Sequence, residues 1–130
     1  MNVLDSSCWI EYFFDSPIGD SLVPIVERPR TLLVPSIVLY EVCKYLLLHT
    51  DREYVIEFIQ MLQKGQVISL NASLSIFAAD ISRKYRLSMA DSIIYATAMQ
   101  YNAVLWAADK HFIGLPQVQY FDKTSTDYTD

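Results

Sequence analysis

Short apolar segments alternate with longer helical segments along this chain, and this alternation limits the fold more than any other feature. The apolar segments are residues 2–4, 31–34, 67–70, 103–106 and 118–121. Each has the length of a buried strand, and most are separated by ten or more residues with helical spacing. Because parallel strands need a long crossover connection, the pattern predicts an α/β fold, with a mainly parallel sheet of four to five short strands flanked by helices.

Length and composition restrict the class of protein. A chain of 130 residues is expected to form a single domain, residues 1–122, followed by a polar, flexible tail, residues 123–130. The 15 acidic and 10 basic residues give a net charge of -5, which argues against a broad basic surface for nucleic acid. The net charge argues less strongly against nucleic-acid binding if several of the acids surround metal ions, because the ions offset their negative charge. A hydrophobic fraction of 52% is high for a small monomer, so we expect a homodimer or a partner protein to cover apolar surface.

The cysteines and the N-terminus indicate the compartment. Cys8 and Cys43 form no CxxC motif, which predicts free thiols in a reducing cytoplasm. The N-terminus has neither the basic region nor the long apolar region of a secretory signal. Every apolar run is shorter than the ~20 residues of a membrane span. We therefore expect a cytoplasmic protein without membrane contact.

Capping and breaking residues predict the first helices. Residues 5–7 are expected to cap a helix over residues 8–14. The breakers within residues 15–20 should end that helix, which leaves a second, short helix over residues 22–27. A third helix, residues 37–49, is apolar almost all round, and such a helix is expected to be covered on two sides.

Residues 87–112 combine a capped helix, a short apolar strand and a polar turn. Ser88 is the predicted N-cap, and Asp91 is expected to reach back to the Ser88 amide as in a capping box. Asn102 suits the left-handed position that ends a helix. The four residues after it form the strand, and Asp109 follows directly in the turn.

Four acids are predicted to meet at one edge of the sheet. Asp5 and Asp109 each follow a strand, and open α/β sheets bind ligands beyond the carboxyl ends of their strands. Glu41 lies five residues into the third helix, a rise of ~7.5 Å that its long side chain partly recovers. Asp91 joins them if its helix descends towards the start of the next strand. Local roles compete, with Asp5 and Asp91 as caps, Asp109 in a turn and Glu41 solvated.

Convergence of these carboxylates favours a metal site. Four carboxylates without counter-charge repel one another and raise one another's pKa, whereas a divalent cation removes that penalty. Hard oxygen ligands without His or Cys suit Mg²⁺ or Mn²⁺. Such ions activate water and stabilise the leaving oxygen in phosphodiester hydrolysis, so the predicted chemistry needs no general-base histidine.

The acids and the segments around them resemble the PIN-domain nucleases and, within that family, the VapC-type toxins of toxin–antitoxin pairs. The similarity covers nearly the whole chain and rests on four segments: VLDSS, SIVLYEV, LSMADSIIYATA and AVLWAADKHF. It implies a PIN-like three-layer α/β/α domain over residues 1–122. It also implies an endoribonuclease that cleaves single-stranded or loop RNA with Mg²⁺ or Mn²⁺, as a homodimer restrained by a cognate antitoxin. The catalytic and metal-binding residues implied by the resemblance are Asp5, Glu41, Asp91 and Asp109.

This chain departs from the family pattern just before the last acid. Many relatives have Ser or Thr where this chain has Ala107, and a polar residue where it has Ala108. The missing hydroxyl leaves an alternative open, a catalytically inactive PIN-like module that binds RNA or protein. A phosphatase with Asp5 as nucleophile is disfavoured, because that chemistry usually places a second Asp where this chain has Ser7.

Other residues receive structural interpretations. His49 is expected to complement a helix dipole, and His111 to lie at a surface turn, where Lys110 and His111 could touch a phosphate. Ser6 either caps the first helix or contacts a metal-bound water, and capping is favoured. Aromatic residues near the N-terminus are interpreted as core or interface residues rather than base-stacking groups. They are Trp9, Tyr12, Phe13 and Phe14.

Overall fold

A parallel sheet lies at the centre of the structure, a computed structural model that describes residues 1–123. Within those residues its strands are β1 (Asn2–Leu4), β2 (Leu32–Pro35), β3 (Gln66–Ile68), β4 (Val104–Ala107) and β5 (Val118–Tyr120). Their order is β3-β2-β1-β4-β5, and every neighbouring pair is parallel. The predicted α/β fold and strand number are confirmed. The proposed tail lies outside the described residues from position 124 onward.

Six α-helices connect the strands within the described part of the chain. They are α1 (Ser6–Phe13), α2 (Pro17–Val26), α3 (Ser36–His49), α4 (Arg52–Leu62), α5 (Ala72–Tyr85) and α6 (Met89–Gln100). Short 3₁₀ turns occupy Pro29–Thr31 and Lys110–Phe112. The helices flank the sheet as expected of a three-layer α/β/α domain.

The start of α2 corrects the sequence prediction, which placed the second helix over residues 22–27. Ser16 is the N-cap, and its hydroxyl accepts a hydrogen bond from the Gly19 amide at 3.0 Å. Pro17 occupies the first helical turn, where a missing N–H leaves no hydrogen bond unmade. The proline that was expected to break one helix therefore starts the next.

The strand register brings the carboxyl ends of β1 and β4 together. Leu4 pairs with Trp106, and the Asp5 amide donates to the Trp106 carbonyl at 2.9 Å. Helix α6 runs against the strands, since the Ala103 amide next to β4 donates to the Ala98 carbonyl near the end of α6. The first turn of α6 consequently lies at the carboxyl edge of the sheet.

One side of α3 packs on the core and the other is uncovered. Val38, Val42 and Leu46 are fully buried, whereas Tyr40 is 60% and Leu48 76% exposed. Residues 1–123 therefore cover α3 on one side only. The prediction that this helix is enclosed on two sides is not met within the described chain.

The structure also bears on the two cysteines and on membrane-spanning helices. Cys8 and Cys43 are both free, as expected, and Cys8 is buried. Among the helices within residues 1–123, none is both long enough and apolar enough to cross a membrane.

Candidate active site

Asp5 is a buried carboxylate held by several donors at the end of β1. It is only 2% exposed and is the N-cap of α1. Its Oδ1 accepts from the Cys8 amide at 2.7 Å, and the Ser7 hydroxyl donates to the carboxylate at 2.8 Å. The Ala108 amide donates to Oδ2 at 3.3 Å. A strand followed by a capping acid thus positions Asp5, as the sequence predicted.

The electrostatics of Asp5 favour a nearby cation. Burial raises the pKa of Asp5, and hydrogen bonds from Cys8, Ser7 and Ala108 only partly oppose that rise. Within residues 1–123, no Lys, Arg or His forms an ion pair with this carboxylate. Burial, with a further contribution from the Asp5 charge, also raises the pKa of the Cys8 thiol well above its usual range, which disfavours the thiolate form.

Glu41 is held by the hydroxyl of Ser6, the residue that follows Asp5. The Ser6 Oγ donates to Glu41 Oε1 at 2.6 Å, across 35 positions of sequence. Asp5 fills the N-cap of α1, so the interpretation of Ser6 as the cap is wrong. The bond joins the first turn of α1 to the second turn of α3.

Asp91, Asp109 and His111 form a compact group. His111 Nδ1 lies 2.9 Å from Asp91 Oδ2 and 3.1 Å from Asp109 Oδ1. One potential ligand atom from each residue lies within 4.8 Å of the other two. The Asp91 side chain is 13% exposed and that of His111 67% exposed. His111 does lie on a surface turn, but it also joins two of the predicted acids.

The local hydrogen bonds of this group differ from the predicted capping box. The Ser88 hydroxyl does accept from the Asp91 amide, at 3.4 Å. The Asp91 carboxylate, however, contacts the His111 ring. Asp109 caps the 3₁₀ turn, accepting from the His111 amide at 2.9 Å. Hydrogen bonding to Asp91, together with the charges of Asp109 and Asp91, raises the pKa of His111.

The four predicted acids are connected, although only two belong to the compact group. Among the described residues, Asp5 and Glu41 lie outside the group formed with His111. Asp5 is linked to it through the amide of Ala108, the neighbour of Asp109. Glu41 is linked through Ser6, the neighbour of Asp5. The sequence did not predict the bond from Ser6 to Glu41 or the contacts of His111 with the two acids. The only signals were that Ser6 follows Asp5 and that His111 lies two residues after Asp109.

The donor set fits a divalent cation. Carboxylate oxygens are the ligands that Mg²⁺ and Mn²⁺ prefer, and an imidazole nitrogen is a common ligand of first-row transition metals. A cation beside these acids would also offset the repulsion between their charges. Asp91, Asp109 and His111 are the residues closest to such an arrangement, with Asp5 linked to them through the Ala108 amide and Glu41 linked to Ser6.

The residues before Asp109 have a backbone role. Ala107 and Ala108 are both buried, and the Ala108 amide supports Asp5. Beside them a cavity of about 310 Å³ opens next to Asp109, lined also by Lys110, His111, Tyr120 and Lys123. Lys110 therefore lies on the wall of a cleft adjoining the acids, and its contact with a phosphate stays a prediction.

The N-terminal aromatic residues belong mainly to the core. Trp9 is 1% and Phe13 4% exposed, and their ring centroids are 5.7 Å apart. Phe14 is 47% exposed and packs edge-on against Tyr45. The core interpretation of Trp9 and Phe13 is confirmed.

A parallel α/β sheet with acids gathered beyond the ends of β1 and β4 defines a PIN-like domain. The sequence model of the PIN-domain family matches residues 3–117. The chain therefore belongs to the PIN-domain family. No sequence among functionally curated proteins matches it significantly.

Solved structures share this fold at low sequence identity. A toxin–antitoxin complex from Klebsiella pneumoniae matches with a TM-score of 0.76 at 20% identity, covering 92% of this chain and 96% of that one. VapBC2 from Rickettsia felis, bound to a promoter DNA fragment, matches with a TM-score of 0.73 at 17% identity, covering 93% of this chain and 98% of that one. VapC20 from Mycobacterium tuberculosis, a sarcin–ricin loop cleaving toxin, matches with a TM-score of 0.65 at 16% identity, covering 82% of this chain and 87% of that one. At these identities the similarity establishes the fold.

Proposed function

We propose that this protein is a metal-dependent endoribonuclease that cleaves single-stranded or loop RNA and acts in the cytoplasm as the toxin of a toxin–antitoxin pair. The observation that carries the proposal is the cluster of Asp91 and Asp109 next to buried Asp5, at the carboxyl edge of a PIN-domain sheet. Membership of the PIN-domain family supports nuclease activity, and the M. tuberculosis neighbour is described as cleaving an RNA loop.

The proposed metal ligands are Asp5, Glu41, Asp91 and Asp109, with Mg²⁺ or Mn²⁺ as the ion. A bound divalent cation supplies Lewis-acid stabilisation of the charge that develops on a phosphodiester during hydrolysis. The protein's own residues keep the acids in place. Ser7 and the Ala108 amide hold Asp5 in one orientation, and Ser6 holds Glu41. Lys110, on the cleft wall beside Asp109, contributes positive charge towards an RNA phosphate.

The proposed partners are a cognate antitoxin and a second copy of the chain. Structural neighbours include toxin–antitoxin complexes from K. pneumoniae and R. felis. The exposed side of α3 supports association, since it adjoins an apolar groove of about 630 Å³ between α3 and α4. We propose that residues 1–122 form the functional unit.

Cleavage of total RNA with mapped products tests the proposal. The wild-type chain should cleave RNA in the presence of Mg²⁺ or Mn²⁺, and EDTA should stop the cleavage. Asp5→Asn and Asp91→Asn should abolish cleavage while the circular dichroism spectrum stays that of a folded protein. Asp80→Asn, which changes an exposed acid of α5, is the matched control and should cleave normally.

Two outcomes would contradict the proposal. Full cleavage by both site variants would show that these acids are not the catalytic centre. A wild-type chain that binds RNA or a partner protein, yet cleaves nothing at any Mg²⁺ or Mn²⁺ concentration, would support the inactive PIN-like module instead. Ala107, where many relatives have a hydroxyl, is the feature that favours this alternative.

A further inference from the structure

His111 lies where a metal ligand would lie. We propose that its imidazole Nδ1 binds the divalent cation together with Asp91 and Asp109, and that this nitrogen makes the site prefer Mn²⁺ and other first-row transition-metal ions over Mg²⁺. The inference rests on the proposed function for the presence of a metal at this edge. It assigns a ligand outside the four acids and a preference among ions.

The distances agree with shared coordination. Ligand bonds of ~2.1 Å at right angles place neighbouring donor atoms about 3.0 Å apart in an octahedral site. His111 Nδ1 lies 2.9 Å from Asp91 Oδ2 and 3.1 Å from Asp109 Oδ1, which matches two such edges. The remaining pair, one oxygen from each acid, lies within 4.8 Å. The three atoms can therefore occupy one face or one meridian of an octahedron around a single cation.

The turn that carries His111 is anchored on both sides. Phe112, the next residue, is fully buried and packs near Tyr95, with ring centroids 6.4 Å apart. The His111 amide donates to Asp109 Oδ1 at 2.9 Å, so the backbone is tied to one of the acids. The anchored backbone, together with the contacts of the ring with Asp91 and Asp109, orients the imidazole before a metal binds, which favours a preorganised ligand.

The chemistry of the donors sets the expected preference. Mg²⁺ is a hard ion that takes oxygen ligands and keeps several waters, so an imidazole adds little to its binding. First-row transition-metal ions bind imidazole nitrogen more favourably. A site of two carboxylates and one imidazole should therefore bind Mn²⁺ more tightly than the same site without the histidine, while its Mg²⁺ affinity changes less.

An opposite role for His111 predicts an opposite result. A ring that merely neutralises the acids would compete with the cation, and its removal would then tighten the binding of both Mg²⁺ and Mn²⁺. A ligand role predicts weaker Mn²⁺ binding on removal. The sign of the change in Kd therefore separates the two roles.

Calorimetric titration and pulsed electron paramagnetic resonance test the proposal on the full chain without a histidine tag. His111→Gln should raise the Kd for Mn²⁺ on the order of tenfold or more, and that for Mg²⁺ by a smaller factor. Mn²⁺ bound to the wild type should show ¹⁴N coupling, which His111→Gln should lose. His49→Gln, a change at the exposed end of α3, is the control and should retain both signals.

Three results would overturn the proposal: no ¹⁴N coupling in the wild type, tighter Mn²⁺ binding in His111→Gln, or equal weakening for both ions. These readouts need no RNA, so they are separate from the test of nuclease activity. Histidine coupling without RNA cleavage would leave the ligand assignment standing and defeat the proposed function. RNA cleavage without ¹⁴N coupling would support the proposed function and defeat the assignment of His111 as a ligand.

Discussion

Ser6 and Glu41 are joined by a 2.6 Å hydrogen bond in which the Ser6 hydroxyl donates to Glu41 Oε1, across 35 positions of sequence. A glutamate side chain on a helix has several accessible rotamers. A short bond to a charged acceptor selects one of them. The hydroxyl next to Asp5 thereby places a second acid on the same side of the site.

Ser6→Ala should weaken metal binding and RNA cleavage without unfolding the protein. The freed Glu41 side chain loses its preferred rotamer, and loss of a residue that orients a ligand typically costs on the order of tenfold in metal affinity. Titration with Mn²⁺ and cleavage kinetics measure the effect.

Ser6→Thr keeps the donor and should restore most of the affinity, whereas Ser21→Ala, at an exposed position of α2, should have no effect. Equal activity of Ser6→Ala and the wild type would show that the Ser6 bond does not position Glu41.

Metal binding should raise the thermal stability of the folded chain. Acids held close together, with Asp5 buried and its pKa raised, favour any bound cation that offsets their charge. At a free Mn²⁺ concentration of 100 times Kd, the free energy of unfolding should rise by about 2.7 kcal/mol. Differential scanning calorimetry with and without EDTA measures this shift in Tm.

Asp109→Asn should abolish most of that shift while leaving the Tm in EDTA close to the wild-type value, because Asp109 lies in a partly exposed turn. A shift of equal size in Asp109→Asn would place the ion elsewhere.

The positions of Asp5 and Asp109 could be predicted because each depends on local signals. A short apolar strand followed by a good capping residue defines the carboxyl end of β1, and the same pattern defines the end of β4. Parallel strands then share an edge, so these acids were expected to converge. The helix that carries Asp91 was placed by its Ser88 cap and by Asn102, whose φ of 50° is the left-handed conformation expected there.

The contacts of His111 and Ser6 could not be predicted, because they depend on tertiary packing. His111 reaches Asp91 across 20 positions, and no periodicity relates a turn to a helix start. Asp, Ser and Ser in succession are all good caps, so the sequence alone does not say which one caps α1 and which hydroxyl remains free for Glu41. Pro17 was misinterpreted for a related reason, since proline both ends helices and favours their first turn.

Tyr95→Phe should reduce the loss of stability at alkaline pH. The Tyr95 side chain is fully buried, and its hydroxyl donates to the Pro116 carbonyl at 2.8 Å. Burial, with a smaller contribution from Tyr85, raises its pKa to about 12. An unfolded tyrosine titrates near pH ~10, so the folded state holds this proton more tightly. The resulting stability is present below about pH 10 and is lost as the pH rises towards 12.

Urea denaturation at about pH 9 and about pH 11.5 measures this dependence. Tyr95→Phe should cost about 1 kcal/mol at the lower pH through the lost hydrogen bond, and its stability should then fall less steeply than that of the wild type. Tyr101→Phe changes an exposed ring and should leave the slope unchanged. An equal fall in the free energy of unfolding between the two pH values for wild type and Tyr95→Phe would contradict a raised pKa of Tyr95.

Leu48→Glu should separate the proposed homodimer into folded monomers. Leu48 is 76% exposed at the uncovered side of α3, so a charge there costs an isolated chain at most about 0.5 kcal/mol. In a dimer that buries this side, the same carboxylate would lose its hydration without gaining a partner, which costs several kcal/mol. Light scattering after gel filtration should show a dimer for the wild type and a monomer for Leu48→Glu, with nearly equal Tm values at low protein concentration. Ile113→Glu, at an exposed position beyond the second 3₁₀ turn, is the control and should remain dimeric. A Leu48→Glu variant that stays dimeric would place the subunit contact on another face.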